Sequence, residues 1–479
     1  MRFDLFWVLM GRTAYVFAPL YLIPFAYGFA LGDPLAGSFL ALAVLTAVLG
    51  MVFGNMGRSH MRQLSVEEGT LFLLSVWFLL AVLGMLPFHM AGLHLSPADT
   101  FFECISALTT TGMTALGESL PPTLLLWRAL MSWFGGLLFI VILVTVLPVV
   151  SGCFGVDFSV RQERLFSPLW NRMTRPMREM TLLYSAITGI AVLIYLAAGD
   201  AIFPALILAL FTISSGAGPM TGGLPASPAL MLGAGLVALL SALPLLTLWQ
   251  ILRRRSGTAL TRHMELRSFF ALLFCAGALL SLLPILHGTQ TITDALSYGF
   301  FYAVSFLSTN GLVLQAEIPL HSGSTLLLIL LAVIGGCMGS AAGGFRISRL
   351  LVLISLAWTE LLRTLHPRMV FAVRQGGEVV PLHSAGRILV LAFFFAAVFS
   401  ISSLLIGLAG LPPIETIALT VSCLTTTGGV SSLTDLSAVA ALPIWTKLIC
   451  ALLMILGRIE IFAFFLLLGG LFEDTGHRW

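Results

Sequence analysis

Charged side chains are scarce in this chain. They make up 9% of its 479 residues, whereas a soluble globular domain carries about 25%. Hydrophobic residues account for 58% of the sequence, and the mean hydropathy is +1.03. Apolar runs of about 20 residues recur, each long enough to cross about 30 Å of hydrocarbon. The composition excludes a soluble globular protein and predicts an all-α polytopic membrane protein.

Sequence patterns of several other protein classes are also missing. The six cysteines stand singly in or beside apolar segments, without the spacing of a metal site or a disulfide framework, and we expect them to be small core residues. No Ser/His/Asp set suggests hydrolysis, and no GxGxxG stands between a strand and a helix. An intramembrane enzyme would need a deep acid/base pair, and the only candidates, Arg458 and Glu460, lack a nucleophile. The chain is therefore predicted not to be an enzyme.

One tetrad occurs twice. Thr109–Gly112 returns as Thr425–Gly428, and each copy follows a short apolar run that begins with a carboxylate. Weaker copies are Ser214–Gly216 and Ser308–Gly311, and all four lie about 100 residues apart. Chance similarity of apolar sequence is the alternative, but the constant order of span, short segment, glycine loop and span favours four repeats. The loop glycines are Gly112, Gly216, Gly311 and Gly428.

The repeats divide the chain into five parts and predict ten transmembrane helices. Because Met1–Met10 has no cleavable signal pattern, we expect the first apolar run to be the first span. The parts are an N-terminal two-helix domain (1–63), repeat 1 (64–160), repeat 2 (161–256), repeat 3 with an intramembrane gate loop (257–384) and repeat 4 (385–479).

Arginines mark the orientation of the chain in the membrane. They are concentrated in the stretches before the odd-numbered spans and almost absent from the stretches with the glycine loops. The positive-inside rule therefore places both termini in the cytoplasm and brings all four loops into the bilayer from outside. The run Arg253–Arg255 fits this topology signal, although docking of lipid head groups or of a regulatory ring is a second interpretation.

Four such loops around one axis have the geometry of a cation filter. Backbone carbonyls replace the hydration shell of the ion, glycine permits the positive φ that turns them inward, and Ser and Thr add hydroxyl oxygens. The short helices, which begin at Asp99, Asp200, Asp294 and Glu415, direct partial negative charge at the ion. A re-entrant turn without an ion is the alternative. The predicted K⁺ ligands are Thr110, Thr111, Gly112, Ser214, Ser215, Gly216, Thr309, Asn310, Gly311, Thr426, Thr427 and Gly428.

Three further motifs carry a resemblance to a known family. They are Arg128-x4-Trp133-x-Gly135-Gly136, the run GGCMGSAAGGFR over Gly335–Arg346, and Gly457-Arg458-Ile459-Glu460-Ile461-Phe462. With the four loops, they make nearly the whole chain resemble the Trk/Ktr/HKT superfamily of potassium transporters. The two extra spans before the first repeat resemble its TrkH-type membrane subunits most.

The resemblance implies potassium uptake across the bacterial inner membrane by a homodimer with one pore per protomer. It also implies a cytoplasmic TrkA-type regulatory ring that holds the nucleotide, so that K⁺ is expected in this chain but no organic cofactor and no nucleic acid. Two alternatives stay open: an alternating-access symporter of K⁺ with H⁺ or Na⁺, and a less selective K⁺/Na⁺ pathway, since the second loop and Asn310 depart from the simplest pattern.

The resemblance further implies an intramembrane gate below the filter. Its residues would be Gly335, Gly336, Gly339, Ser340, Gly343, Gly344 and Arg458. Glycine clusters have low helix propensity, which suits a loop that moves, although close helix packing through small residues is an alternative. For Arg458 the alternative is a structural ion pair, for instance with Glu460, because an unpaired charge in a span is costly.

Overall fold

A computed structural model shows a helical chain with one small hairpin. It describes residues 4–57, 66–93, 95–116, 120–145, 174–216, 223–245, 248–249, 264–288, 290–315, 322–366, 368–369, 371–376, 378–434 and 439–459. Some residues singled out above lie outside these ranges. They are Arg253–Arg255, the basic stretch before residue 174, residues 217–222 after the second loop, and Glu460 to Phe462.

Sixteen α-helices follow one another within the described residues. They are α1 (Asp4–Phe17), α2 (Leu22–Leu31), α3 (Ala36–Met56), α4 (Val66–Met90), α5 (Pro97–Leu108), α6 (Pro122–Thr145), α7 (Thr174–Ala197), α8 (Ile202–Ile213), α9 (Pro228–Ala242), α10 (Met264–Leu286), α11 (Ile292–Leu307), α12 (Ser322–Ile334), α13 (Ile347–Leu365), α14 (Leu382–Gly407), α15 (Pro413–Leu424) and α16 (Ile444–Ile459). Strands β1 (Arg374–Gln375) and β2 (Glu378–Val379) pair antiparallel, a detail that the all-α prediction did not include.

Seven stretches of described helix are long and apolar enough to cross a membrane, and the chain is a multi-pass membrane protein. The stretches are Phe6–Leu31, Ala36–Met56, Leu71–Met90, Pro122–Leu143, Met177–Ala197, Met264–Leu286 and Ser384–Gly407. Helix α14 shows the surface expected of such a protein, because Phe393, Ile401 and Leu404 are 60–75% exposed. The count of ten spans stays a prediction.

The N-terminal helices pack against α6. The ring of Tyr21 stacks on Trp127 with 4.3 Å between centroids. In the connection between α2 and α3, the carboxylate of Asp33 accepts a hydrogen bond from Thr123 at the start of α6. Helix α6 is thus fixed along its outer face, which matters because its other residues reach the candidate site.

Four short helices, α5, α8, α11 and α15, each end at one of the loops singled out in the sequence. In α5 and α11 the predicted carboxylate lies in the first turn, where the amide of Asp99 bonds to Ser96 Oγ and that of Asp294 to Thr291 Oγ1. Asp200 differs from this prediction, because α8 begins only at Ile202 and has no acidic residue in its first turn.

Asp99 also ties the beginning of α5 to the beginning of α16. Its carboxylate accepts a hydrogen bond from Lys447 Nζ at 2.5 Å. Partial burial acts to raise the pKa of Asp99, but the bond from Lys447 and those from Ser96 outweigh it, so that the pKa lies below its ordinary value. The ionised carboxylate is therefore the form that the folded protein favours.

The ion pair of Asp99 and Lys447 makes the stability of the folded protein depend on pH. Because the folded-state pKa is depressed, its stabilisation is complete above the pKa of an unfolded aspartate, about 3.9, and is lost as the pH falls through the folded value. We expect thermal unfolding in detergent to separate wild type from Asp99→Asn at pH 7, and the two unfolding temperatures to begin to converge only as the pH falls below about 4. A separation that stays constant over this range would contradict the assignment.

The predicted interruption of a span by glycine is confirmed. Helix α12 ends at Ile334 and α13 begins at Ile347, with non-helical backbone between them. Three glycines of this stretch, Gly335, Gly339 and Gly344, have positive φ, a region that L side chains rarely enter. We call residues 335–346 the intramembrane loop.

Candidate functional site

The four loops share one backbone feature, a left-handed second residue. We call Thr109–Gly112, Ser214–Gly216, Ser308–Gly311 and Thr425–Gly428 turns 1 to 4. In each turn the second residue is left-handed, with φ of 55°, 60°, 57° and 54° for Thr110, Ser215, Thr309 and Thr426. All four residues are fully buried. Non-glycine residues adopt this conformation only where the surroundings enforce it, and such strain concentrates at functional sites.

The glycine of turn 2 does not match the other three. Helices α5 and α8 end at Leu108 and Ile213, which places Gly216 level with Thr111 rather than with Gly112. The amides confirm this register, since Thr111 N bonds to Ser106 O and Gly216 N bonds to Phe211 O. The equivalence of four loop glycines is therefore wrong by one residue in turn 2. The position level with Gly112 is Ala217, outside the described residues.

The turn glycines also differ from the expectation that each of them has positive φ. The glycines of turns 1 and 3, Gly112 and Gly311, have φ of 79° and 64°. Gly216 and Gly428 are not left-handed; their lack of a side chain serves close contact instead. A Cβ on Gly428 would overlap Thr111 O, and one on Gly216 would lie 2.6 Å from Ser132 Oγ.

Hydroxyl groups in the turns fall into two sets. Those of Thr109 and Thr425 donate back to the carbonyls of Ile105 and Val421, which fixes the helix ends. Those of Thr110 and Thr426 are buried and have no hydrogen-bond partner among the described residues. A buried hydroxyl without a partner costs about 1–3 kcal/mol, so these two oxygens are available to a bound species.

The turns are linked in a closed ring, either directly or through a residue of a neighbouring helix. Turn 4 reaches turn 1 through Gly428 N, which donates to Thr111 O at 2.8 Å. Turn 3 reaches turn 4 through Gly311, whose missing Cβ lets Gly429 approach. Turns 2 and 3 share Ser241 of α9, which accepts from Ser215 Oγ at 3.2 Å and from Asn310 Nδ2 at 2.9 Å.

Helix α6 joins turn 1 to turn 2. Its Gly135 lies against the carbonyl of Leu108 so closely that a Cβ there would overlap it. Ser132 Oγ lies 2.8 Å from Ser214 Oγ. In the same way, Gly457 of α16 lies against the carbonyl of Leu424, the last residue of α15. The glycines of these two motifs therefore let a span touch the end of a short helix.

The intramembrane loop lies directly against the ring. Gly343 N donates to Thr309 Oγ1 at 2.8 Å, and Gly344 N donates to Thr425 O at 3.2 Å. A Cβ on Gly343 would overlap the carbonyl of Thr425. Turns 3 and 4 are thus bonded to the loop that the sequence singled out for its glycines.

Arg458 connects the same loop to turn 1. Its Nε donates to Thr109 O and its Nη1 donates to Ala341 O, both at 2.7 Å. The guanidinium also stands over the ring of Phe139, 4.9 Å from the centroid. Both of these hydrogen bonds end on backbone carbonyls. The sequence-based alternative of a partner at Glu460 falls outside the described residues.

Glu265 holds the intramembrane loop from the other side and was missed in the sequence. This residue of α10 accepts a hydrogen bond from Met338 N at 2.6 Å. The sequence offered little signal for this role, because Glu265 lies in the first turn of α10, between Arg262 and Arg267. Its partner Met338 is far from it in the chain.

Within the described residues, no group of three His, Cys, Asp or Glu side chains could hold a metal ion. Of the five described cysteines, Cys104, Cys337, Cys423 and Cys450 are buried as core residues, whereas Cys275 is exposed on α10. The oxygen atoms of the ring are neutral hydroxyls and carbonyls, which are ligands for a weakly held cation rather than for a tightly bound one.

The fold and the ring define a polytopic membrane protein of the transporter class, and comparison with known proteins agrees. The model of the TrkH family, described as cation transport proteins, matches residues 37–202 and 267–471. The chain belongs to this family, which confirms the sequence-based resemblance and the expectation that it is not an enzyme.

Individual relatives match over most of the chain. The Trk system potassium uptake protein TrkH of Escherichia coli K12 is 28% identical over 98% of both chains. The Trk system potassium uptake protein TrkG of the same strain is 30% identical over 86% of both. A crystal structure of the potassium transporter TrkH from Vibrio parahaemolyticus superposes with a TM-score of 0.89 at 25% identity, covering 99% of this chain and 100% of that one.

Proposed function

We propose that this chain conducts K⁺ into the cell through the ring of four turns, driven by the membrane potential. The observation that carries the proposal is the ring itself: four buried turns, each with a left-handed second residue and each at the carboxyl end of a short helix. Relatives that are named potassium uptake proteins support K⁺ as the ion.

The ring would act on the ion through neutral dipoles. Helices α5, α8, α11 and α15 direct their carboxyl ends, with partial negative charge, toward the turns. Thr110 and Thr426 add hydroxyl oxygens that lack a protein partner. Such a set can replace the hydration shell of a cation without binding it so tightly that transport stops. The predicted ligands in turns 1 to 4 are proposed on this basis.

The intramembrane loop and Arg458 would form the gate. In the structure they bond to turns 1, 3 and 4, and Arg458 places a positive charge beside Thr109 O. A fixed positive charge next to the path repels a cation. Conduction then requires the loop to leave the ring and Arg458 to change partners.

The remaining expectations belong to the same proposal. The protein would lie in the bacterial inner membrane with both termini in the cytoplasm, with ten spans and four repeats around one pore. It would form a homodimer, and a cytoplasmic TrkA-type ring would control the gate. The arginine distribution supports the orientation, and the names of the relatives, which refer to a Trk system, support a multi-component assembly.

Flux through liposomes tests the function. Purified protein should pass Rb⁺ down its gradient and exclude Na⁺, without a gradient of a second ion. Rb⁺ flux that stops when H⁺ and Na⁺ gradients are removed would favour the alternating-access symporter instead. Absence of Rb⁺ flux in the presence of a regulatory partner would contradict the proposal.

Gly112→Ser should weaken ion selection. Gly112 has φ of 79°, so serine strains turn 1 by about 1–2 kcal/mol, and we expect the Na⁺/Rb⁺ flux ratio to rise about tenfold, equivalent to roughly 1.4 kcal/mol. The matched control is Gly32→Ser, since Gly32 has φ of 70° but nothing within 4 Å. An unchanged ratio in Gly112→Ser would remove turn 1 from the filter.

A further inference from the structure

A buried ion pair stands beside turn 1. Glu103 lies on α5 and Arg128 on α6, and neither side chain is exposed. The carboxylate oxygen Oε1 contacts Arg128 Nε directly. Arg128 belongs to a sequence motif that assigned it no role, and Glu103 was not among the residues singled out in the sequence.

The pair holds the residues that follow Gly112. Glu103 Oε2 accepts hydrogen bonds from Ala115 N at 3.0 Å and from Thr114 Oγ1 at 3.1 Å. Arg128 Nη2 donates to Met113 O at 2.8 Å. The stretch 113–115 is not helical. Met113 O also accepts a hydrogen bond from Ser106 Oγ at 2.6 Å, so the ion pair adds a second partner for that carbonyl and supplies the partner of Ala115 N.

Stability alone does not account for two charges at this place. A buried ion pair contributes little net stability, since an apolar pair of similar volume is often as stable or more so. What an apolar pair cannot do is bond to the carbonyl of Met113 and the amide of Ala115. The charges therefore fix the position of this stretch, and with it the conformation of Gly112.

The four short helices do not all carry a polar side chain at the position of Glu103. Counted from the helix ends, Glu103 is level with Leu208, Tyr302 and Leu419. In α11 the phenol of Tyr302 accepts a hydrogen bond from Leu314 N at 3.4 Å, which is level with the bond from Ala115 N. Leu208 and Leu419 carry no polar atom. At this level, the charged side chain of Glu103 bonds to the stretch after turn 1, and the neutral hydroxyl of Tyr302 bonds to the stretch after turn 3. Turns 2 and 4 have an apolar residue there.

We infer that Glu103 and Arg128 are positioning residues that set ion selectivity by fixing the stretch 113–115 behind turn 1, and that Tyr302 does the same for turn 3. The inference rests on the proposed filter function of the ring. It assigns specificity to residues that need not touch the ion.

Glu103→Gln tests the inference against a matched control on the same helix. Glutamine keeps an acceptor for Ala115 N but leaves Arg128 without its counter-charge. We expect the Rb⁺/Na⁺ flux ratio to fall about tenfold and amide hydrogen exchange at 113–115 to become faster. Asp99→Asn removes another ion pair of α5, with Lys447, that does not reach this stretch. It should leave both measurements at the wild-type value.

A double variant separates positioning from folding. Glu103→Met with Arg128→Met removes both charges at similar volume, so the protein should fold, while Met113 O and Ala115 N still lose these partners. We expect a thermal unfolding temperature close to wild type, with lower selectivity and faster exchange. Tyr302→Phe should lower the Rb⁺/Na⁺ flux ratio by a smaller factor and make amide exchange faster at 312–314 rather than at 113–115.

The two readouts distinguish failure of the inference from failure of the filter function. Wild-type exchange at 113–115 in both Glu103→Gln and the double variant would overturn the inference, whatever the flux. Faster exchange with an unchanged flux ratio would also overturn it, since the pair would then be structural only. A wild-type protein that passes no Rb⁺ in the presence of a regulatory partner would refute the filter, and with it the role in selectivity.

Discussion

Arg458→Ala should let the protein conduct Rb⁺ without a regulatory partner. The substitution removes both bonds that join turn 1 to the intramembrane loop, from Nε to Thr109 O and from Nη1 to Ala341 O. It also removes a positive charge, which acts on a cation at about 4 Å with roughly 4 kcal/mol at an effective dielectric constant of 20. We expect basal Rb⁺ flux in liposomes without a regulatory partner to rise by at least about tenfold, equivalent to 1.4 kcal/mol.

The control for this variant is Arg458→Lys. Lysine keeps the charge, but its single ammonium cannot reproduce a fork with two separate carbonyl partners. Flux should therefore rise less in Arg458→Lys than in Arg458→Ala. Equal basal flux in wild type and Arg458→Ala would show that this residue is structural and that the barrier lies elsewhere.

Gly343→Ala should displace the loop from the ring. The added Cβ would overlap Thr425 O and Thr426 Oγ1, and neither can move away, because one is backbone and the other belongs to a buried, left-handed residue. The loop must shift instead, which breaks the bonds from Gly343 N and Gly344 N. We expect basal Rb⁺ flux to increase about tenfold, with the Rb⁺/Na⁺ ratio kept close to wild type because the turns themselves are intact.

The same substitution at Gly235 of α9 is the control, since nothing lies within 4 Å of an added Cβ there. Gly235→Ala should leave flux unchanged. If Gly343→Ala also conducts like wild type, the loop does not obstruct the path in its bonded position, and the gate assignment fails.

The sequence predicted those features that repeat or that have a local cause. Glycines in a span predict a break, and the break lies at residues 335–346 as expected. The short helices were visible as apolar runs too short to span, each followed by a hydroxyl-rich loop. The register of turn 2 was predicted wrongly, because the turns were aligned by their glycines. The end of α8 sets the register, and Gly216 is there for close contact with Ser132.

Features that depend on the approach of distant segments could not be read from the sequence. Ser241 joins turns 2 and 3 only because α9 crosses both. Glu103 could have been noticed as a carboxylate within an apolar run, but its partner Arg128 is identified by packing alone. The same holds for the bond of Glu265 to Met338. The hairpin of β1 and β2 has only two residues per strand, too few for a period-two pattern.

The bond from Arg458 to turn 1 has a consequence for the assembly of the protein during synthesis. Arg458 and Thr109 are 349 residues apart in the chain. Synthesis proceeds from the amino terminus at about 5–20 residues per second, so turn 1 leaves the ribosome tens of seconds before α16. The bond from Arg458 to Thr109 O can therefore form only after α16 has been made, and a chain that stops before α16 lacks it.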